Sequence, residues 1–223
     1  MSEKKGRSNS SSSNGSLDKR TRDGRRGPEN ATEEFSTLRE VSIALAAMRD
    51  PKEVLEKIAD AALRALQTDV VVIFLVDEAR QTLVGAAAST SLGTKGLRML
   101  EEAYGATLTE LEFPLEPGKA LIVDTVLDSR PRLGLDRLWL KEMTRYEEVI
   151  PLLDTVEAAF GATTVSMVPL VTTQEPLGVM IFLSPKQIHP LDKEMIHGFA
   201  TLAACCIENA RAYQNLKTLI NRS

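Results

Sequence analysis

The sequence predicts an α+β domain: a central antiparallel sheet of about five to six strands, helices from both ends of the chain on one face, a variable helical excursion on the other. Three observations carry this expectation. Val70–Val76 is an unbroken run of β-branched, aromatic and leucine residues, a strand whose two faces must both be covered. Thr163–Val171 and Leu177–Leu183 flank a Thr172–Glu175 turn and read as a hairpin. Apolar residues at helical spacing precede the first strand and follow the last.

Residues 1–33 hold seven serines before Leu17 and one large aliphatic beyond the initiator Met. Such a segment buries too little apolar area to offset the entropy of ordering, so a disordered Ser-rich basic tail is expected. It reads as a solubilising leader, or as a tether whose LDKRTRDGRRG stretch docks on an acidic partner, RNA or lipid. The folded domain is expected over residues 34–220. Phe35, Leu38, Val41, Leu45 and Met48 recur at helical spacing. Asp50 is then a fair N-cap and Pro51 suits the first position of a second helix, which runs to about Gln67 with Val54, Leu55, Ile58, Ala62, Leu63 and Leu66 on its apolar side.

After Val70–Val76, Asp77–Arg80 reads as a turn and Gln81–Ser89 as the partner strand. Residues 93–107 read as a short helix through Leu97, Leu100 and Ala103, and Leu108–Leu115 alternates as a half-exposed strand. Lys119–Leu127 reads as a short helix and Asp128–Pro131 as a turn. Residues 132–160 read as helical pieces broken at Pro151, with Trp139, Met143, Tyr146, Val149 and Val156 as their apolar positions. His189-Pro190-Leu191-Asp192 opens a long closing helix, along which Ile196, Phe199, Ala203, Cys206, Ala210, Tyr213 and Ile220 follow near-heptad spacing.

A chain of 223 residues with 43% apolar content suits one core behind a tail. No run of 18 apolar residues occurs and the N-terminus lacks an apolar signal region, so the expected location is the cytoplasm, with no membrane association. Cys205 and Cys206 are helix neighbours about 100° apart, poor disulfide partners and consistent with a reducing compartment. A net charge of -4 gives no global drive toward nucleic acid, leaving at most weak binding through the tail. Residues 1–34 carry eight basic and six acidic residues, and Lys19–Arg26 is the densest positive stretch.

Four segments carry a family resemblance. DPKEVLEKIADAALRALQTDVVVIFLVDE, FPLEPGKALIVDTVLDSRP, TTVSMVPLVTTQEPLGVMIFLSP and PLDKEMIHGFATLAACCIENARAYQNL resemble, in order and spacing, the second helix and first strand, the Pro-Leu-x-x-Gly segment, the last hairpin and the exit helix of GAF domains. The resemblance implies a sensory fold, PAS-like in outline. It also implies a small-molecule pocket on the sheet face opposite the terminal helices, and a dimer bundle made by those helices.

The special chemistries of the family find little support. No cysteine lies before Cys205, which disfavours a covalent bilin. The only histidines, His189 and His197, sit at the start of the closing helix and read as a loop or cap residue and a packed or surface residue, which disfavours haem; with no carboxylate cluster beside them, no metal site is expected. Cys205 and Cys206 read as small hydrophobes of a helix interface rather than as the thiols of a methionine sulfoxide reductase. The Asn-Lys-x-Phe-x-Asp-Glu pattern of cyclic-nucleotide GAF domains is absent, Gly85, Gly93 and Gly96 do not space as a phosphate loop, and no Ser-His-Asp set can be assembled. No catalytic residue is expected and no cofactor is predicted.

Strand alternation turns Val72, Phe74 and Val76 toward the pocket, with Ala86 and Ala88 leaving room, Ser166 as a polar point, and Trp139 and Tyr146 in the roof. These residues line a cavity or fill it as plain core. Leu38, Val41 and Leu45 of the leading helix, with Phe199, Cys206, Ala210 and Tyr213 of the closing one, are the expected dimer contacts. No output domain follows, so the expectation is a homodimeric regulatory module. It would bind an unknown small molecule or a partner protein and act in trans on a sensor kinase or transcriptional regulator. A ligand-free scaffold is the alternative, a reductase a weaker one.

Overall fold

The computed structural model of the chain describes residues 50–136, 150–172, 175–185 and 190–220. Its first helix, α1 (Pro51–Leu66), starts where the sequence places it. The Asp50 side chain accepts the Lys52 N–H at 2.9 Å and Pro51 follows in the first turn. Val54, Leu55, Ile58, Ala59, Ala62 and Leu66 fall on one buried stripe. Gln67 ends the helix in the left-handed region (φ 51°), its N–H directed at the carbonyls of Leu63 and Arg64. The expected leading helix, with Leu38, Val41 and Leu45, lies outside the described residues.

Strands β1 (Val70–Asp77) and β2 (Thr82–Thr90) form the expected hairpin. Asp77 Oδ1 accepts the N–H groups of Ala79 and Arg80 at 3.0 and 3.1 Å and so holds the turn. The ladder is not regular. Ile73 faces Ala87 but Phe74 faces Gly85, so Ala86 is an extra residue in a β-bulge. Helix α2 (Gly93–Tyr104) follows, closed by Gly105 at φ 80°.

Two expectations need correction. Leu108–Leu115 is not one strand: Thr107 and Glu110 cap each other reciprocally, winding Leu108–Glu110 into a 3₁₀ turn and leaving only Glu112–Pro114 as β3. Residues 132–160 are not helical throughout: Arg132–Asp136 is strand β4. Its Gly134, at φ 64°, sits where the register slips, a conformation glycine takes without strain. Between them α3 (Leu121–Leu127) forms within the expected helix. Helix α4 (Ile150–Phe160) contains Pro151, where the sequence predicts a break in the helix. Strands β5 (Thr164–Val171) and β6 (Pro176–Ser184) form the second hairpin, and α5 (Pro190–Ile220) closes the chain.

The six strands form one antiparallel sheet in the order β3-β2-β1-β6-β5-β4. Helices α1 and α5 cover one face, burying Leu55, Ile58, Val71, Ile73, Met180, Phe182, Phe199 and Ala203. On the other face α2, the 3₁₀ turn, α3 and α4 bury Val70, Val72, Phe74, Leu100, Phe113, Val123, Val156 and Val179. Adjacent residues of β1 thus enter opposite cores, as the strand period of two requires. Full burial of each such side chain contributes roughly 1.5–3 kcal/mol, so the two layers together supply most of the driving force.

Candidate functional site

The excursion face of β1 is built as alternation predicts. Val72 and Phe74 are 7% and 4% exposed there, with Val76 and Ala88 partly buried beside them. Phe74 meets Phe113 of β3 edge to face, ring centroids 5.6 Å apart. Leu100 of α2 and Val123 and Val126 of α3 close over them. The described part of this face is a packed apolar layer.

Two expected pocket residues lie on the other side. The bulge opposite Ile73/Phe74 breaks the alternation along β2, and Ala86 packs against the α1–α5 core. Ser166 falls between Val165 and Met167, which enter the excursion core, and shares its parity with Val168 and Leu170, which enter the helix core. Its hydroxyl accepts the Gly134 N–H at 2.8 Å and so bonds β5 to the irregular strand β4. A lone hydroxyl in an apolar strand could be read as a ligand point; it is in fact the partner of a bulge amide. Trp139 and Tyr146 lie outside the described residues.

At the rim of the excursion face stands a polar group built around Arg132. Arg132 of β4 donates through NH1 to Thr125 Oγ1 of α3 at 2.9 Å and to the Arg130 carbonyl at 3.2 Å. Its NH2 reaches Asp128 Oδ2 at 2.8 Å. Thr125, fully buried, in turn donates to the Leu121 carbonyl at 2.7 Å. The Arg132 bond holds the Asp128 carboxyl below its ordinary range against the opposing effect of burial, with lesser help from the Arg130 N–H. This guanidinium is already neutralised, so it staples α3 to β4 rather than offering an anion site.

The thiols lie on α5, on the helix-covered face. Cys205 is exposed, while Cys206 is half-buried against the core, and that burial, with its neighbouring thiol, pushes its pKa up. A protonated thiol is a weak nucleophile. Of the expected dimer contacts on α5, Phe199 is fully buried in its own core and is corrected to a core residue. Cys206 and Ala210 are half-buried, and the Tyr213 side chain lies outside the described residues. Arg211 ties α5 to the β1–β2 turn, donating to the Val76 carbonyl at 3.2 Å and pairing with Glu78 at 3.5 Å. His197 is exposed and borders a shallow pocket of about 200 Å³ between α5, β5 and the Ser129–Pro131 turn. Among the described residues no three His, Cys, Asp or Glu side chains gather as a metal site.

A second concavity opens at the sheet edge. β3 pairs only with Thr82–Val84, so β2 beyond Gly85 has no outer strand among the described residues. Here a groove of about 340 Å³ runs between α1 and α2, floored by Ala87 and Ala88 and walled by Lys52, Glu56, Asp60, Leu97, Glu101 and Thr109. Ser89 donates to Asp60 Oδ1 beneath it. Periodicity does not show this groove, because its acids are spread over two helices on opposite faces of the sheet.

A curled antiparallel sheet between a terminal-helix layer and an excursion layer defines a class of sensory and regulatory ligand-binding modules. The chain belongs to the GAF domain family, whose model matches residues 50–207. Solved structures agree on the fold. The chain is similar to the GAF domain of a phosphoenolpyruvate-protein phosphotransferase from Acinetobacter, at 14% identity over 81% of this chain and 95% of that one, TM-score 0.62. The corresponding domain from Coxiella burnetii gives 16% identity, 83% and 99% coverage and a TM-score of 0.61. A free methionine-R-sulfoxide reductase from Neisseria meningitidis, solved with its substrate, gives 15% identity, 84% and 95% coverage and 0.58. At such identities the likeness concerns the fold. A comparison with curated proteins finds no match.

Proposed function

We propose that this chain is a non-catalytic cytoplasmic regulatory GAF module that dimerises through its terminal helices and acts in trans on a separate effector, a sensor kinase or transcriptional regulator. The observation that carries this reading is the length of α5. Among the residues whose side chains are described, its last buried one is Ile207 and Arg211 still reaches the sheet at the Val76 carbonyl, yet the helix continues to Ile220. At about 1.5 Å per residue, the stretch from Arg211 to Ile220 is roughly 13 Å of further helix, which a bundle with a second copy would use. Among the described residues no helix is long and apolar enough to cross a membrane, in keeping with this placement.

A thiol reductase is the weaker reading. Both cysteines sit on the face opposite Val72 and Phe74, and Cys206 is held protonated. The packing of Val72, Phe74, Leu100 and Val123 favours a second reading, a ligand-free interaction scaffold of the same architecture.

Native mass spectrometry of the full chain, and of a chain ending at Ala210, separates these readings. The expected result is a dimer that becomes a folded monomer on truncation. A monomeric full chain would overturn dimerisation. A releasable stoichiometric mass would identify a ligand, and a bare dimer would select the scaffold.

A further inference from the structure

The groove at the β2 edge carries more acidic than basic side chains, and of the acids Asp60 is bonded by Ser89. Glu56 and Asp60 on α1 and Glu101 on α2 face it, with Lys52 as the one opposing charge. Among the described residues none of the three acids enters an ion pair. Glu56 and Asp60 are exposed and Glu101 half-exposed, and the Ser89 bond takes up only one oxygen of Asp60. Its lining includes Ala87 and Ala88, whose short side chains leave room beside a stretch of β2 that has no outer strand among the described residues.

The chain carries its own complement. Lys19, Arg20, Arg22, Arg25 and Arg26 lie within eight residues that contain a single acid, Asp23. Arg26 precedes Asp50 by 24 residues, and Lys52, two residues further on, already lines the groove. A wholly helical connection of that length spans about 36 Å and an extended one about 80 Å, so the segment reaches the groove by any path. Tethering also sets an effective concentration in the millimolar range, at which a few weak ion pairs suffice. We infer that the segment Lys19–Arg26 docks in the acidic groove of its own chain, between α1 and α2 at the β2 edge. The tail is thereby a built-in competitor for any basic partner of that edge.

The test is zero-length carbodiimide cross-linking of the full chain, with peptide mapping of the monomer species. Lys19 is expected to join Glu56, Asp60 or Glu101 at low salt. The yield should fall about tenfold at 0.5 M salt, where the screening length is near 4 Å. The tail variant R20E/R22E/R25E/R26E, which keeps Lys19 and leaves every described residue untouched, should lose the link to the same degree. Three results would overturn the inference: Lys19 links spread over the exposed carboxylates of the whole surface, a yield unchanged by salt or by the tail variant, or groove links found only between isotopically distinct copies.

Discussion

Cys205 and Cys206 show how far adjacent side chains of one type can differ. One turns to solvent and the other into the α1–α5 core, where burial raises its pKa. Iodoacetamide at neutral pH is expected to alkylate Cys205 at least about tenfold faster than Cys206, since the thiolate is the reacting form; equal rates by mass spectrometry would contradict the half-buried placement. Asp128 behaves oppositely. Its folded pKa lies below its ordinary value because of Arg132, so its contribution is present above about pH 4 and is lost as pH falls through the folded value. Asp128→Asn should therefore lower stability at neutral pH by no more than about 1 kcal/mol, the carboxylate being exposed and screened. The gap to wild type should close toward pH 2 in urea titrations. Sequence reading could not separate these residues, because a charge list does not say which Arg meets which Asp.

Strand β4 illustrates the scale of elements. It is five residues long, contains a left-handed glycine, and is bonded to β5 across a register slip by Ser166. Ser166→Ala should leave the Gly134 N–H without its partner and destabilise the domain by about 1–2 kcal/mol. Amide exchange should accelerate at Gly134 while β1 and β6 remain protected; a protected Gly134 would refute the hydroxyl's role. The strand was illegible in the sequence because alternation needs four or more regular residues, and a bulge removes that regularity. The same cause put Ala86 and Ser166 on the other face, whereas Val72 and Phe74 lie on the excursion face that the alternation of β1 gives them. Long elements with clean caps or hairpins (α1, the two hairpins, α5) were legible from Asp50-Pro51, Val70–Val76 and the spacing of Ile196, Phe199 and Ala203. Leu108–Leu115 failed because a capping box outweighed its alternation. Phe199 was assigned to a dimer seam because one apolar stripe cannot say which partner covers it; the sheet does.

The described residues form a sandwich in which one sheet separates two cores, so anything that bends the sheet acts on both. The centre of β1 is the tightest place in it. Phe74 faces the bulge of β2 on one side, and on the other lies Gly178 of β6, where a Cβ would fall on the Phe74 carbonyl. Gly178→Ala must push the two backbones apart, with an expected loss of about 2–3 kcal/mol in urea unfolding; a neutral result would mean that β6 can slide freely past β1.

An extra residue on one flank and a missing side chain on the other make Phe74 the point at which the sheet would crease. A crease is a fold line shared by both surfaces of a page: turning one side turns the other. Phe74 and Phe113 lie beside that line on the excursion surface, and Ile73 with the α1 stripe lies beneath it on the helix surface. Pressure on the aromatic pair would thus be felt under α1 and α5 as a change of curvature, with no chain of side-chain contacts needed to carry it.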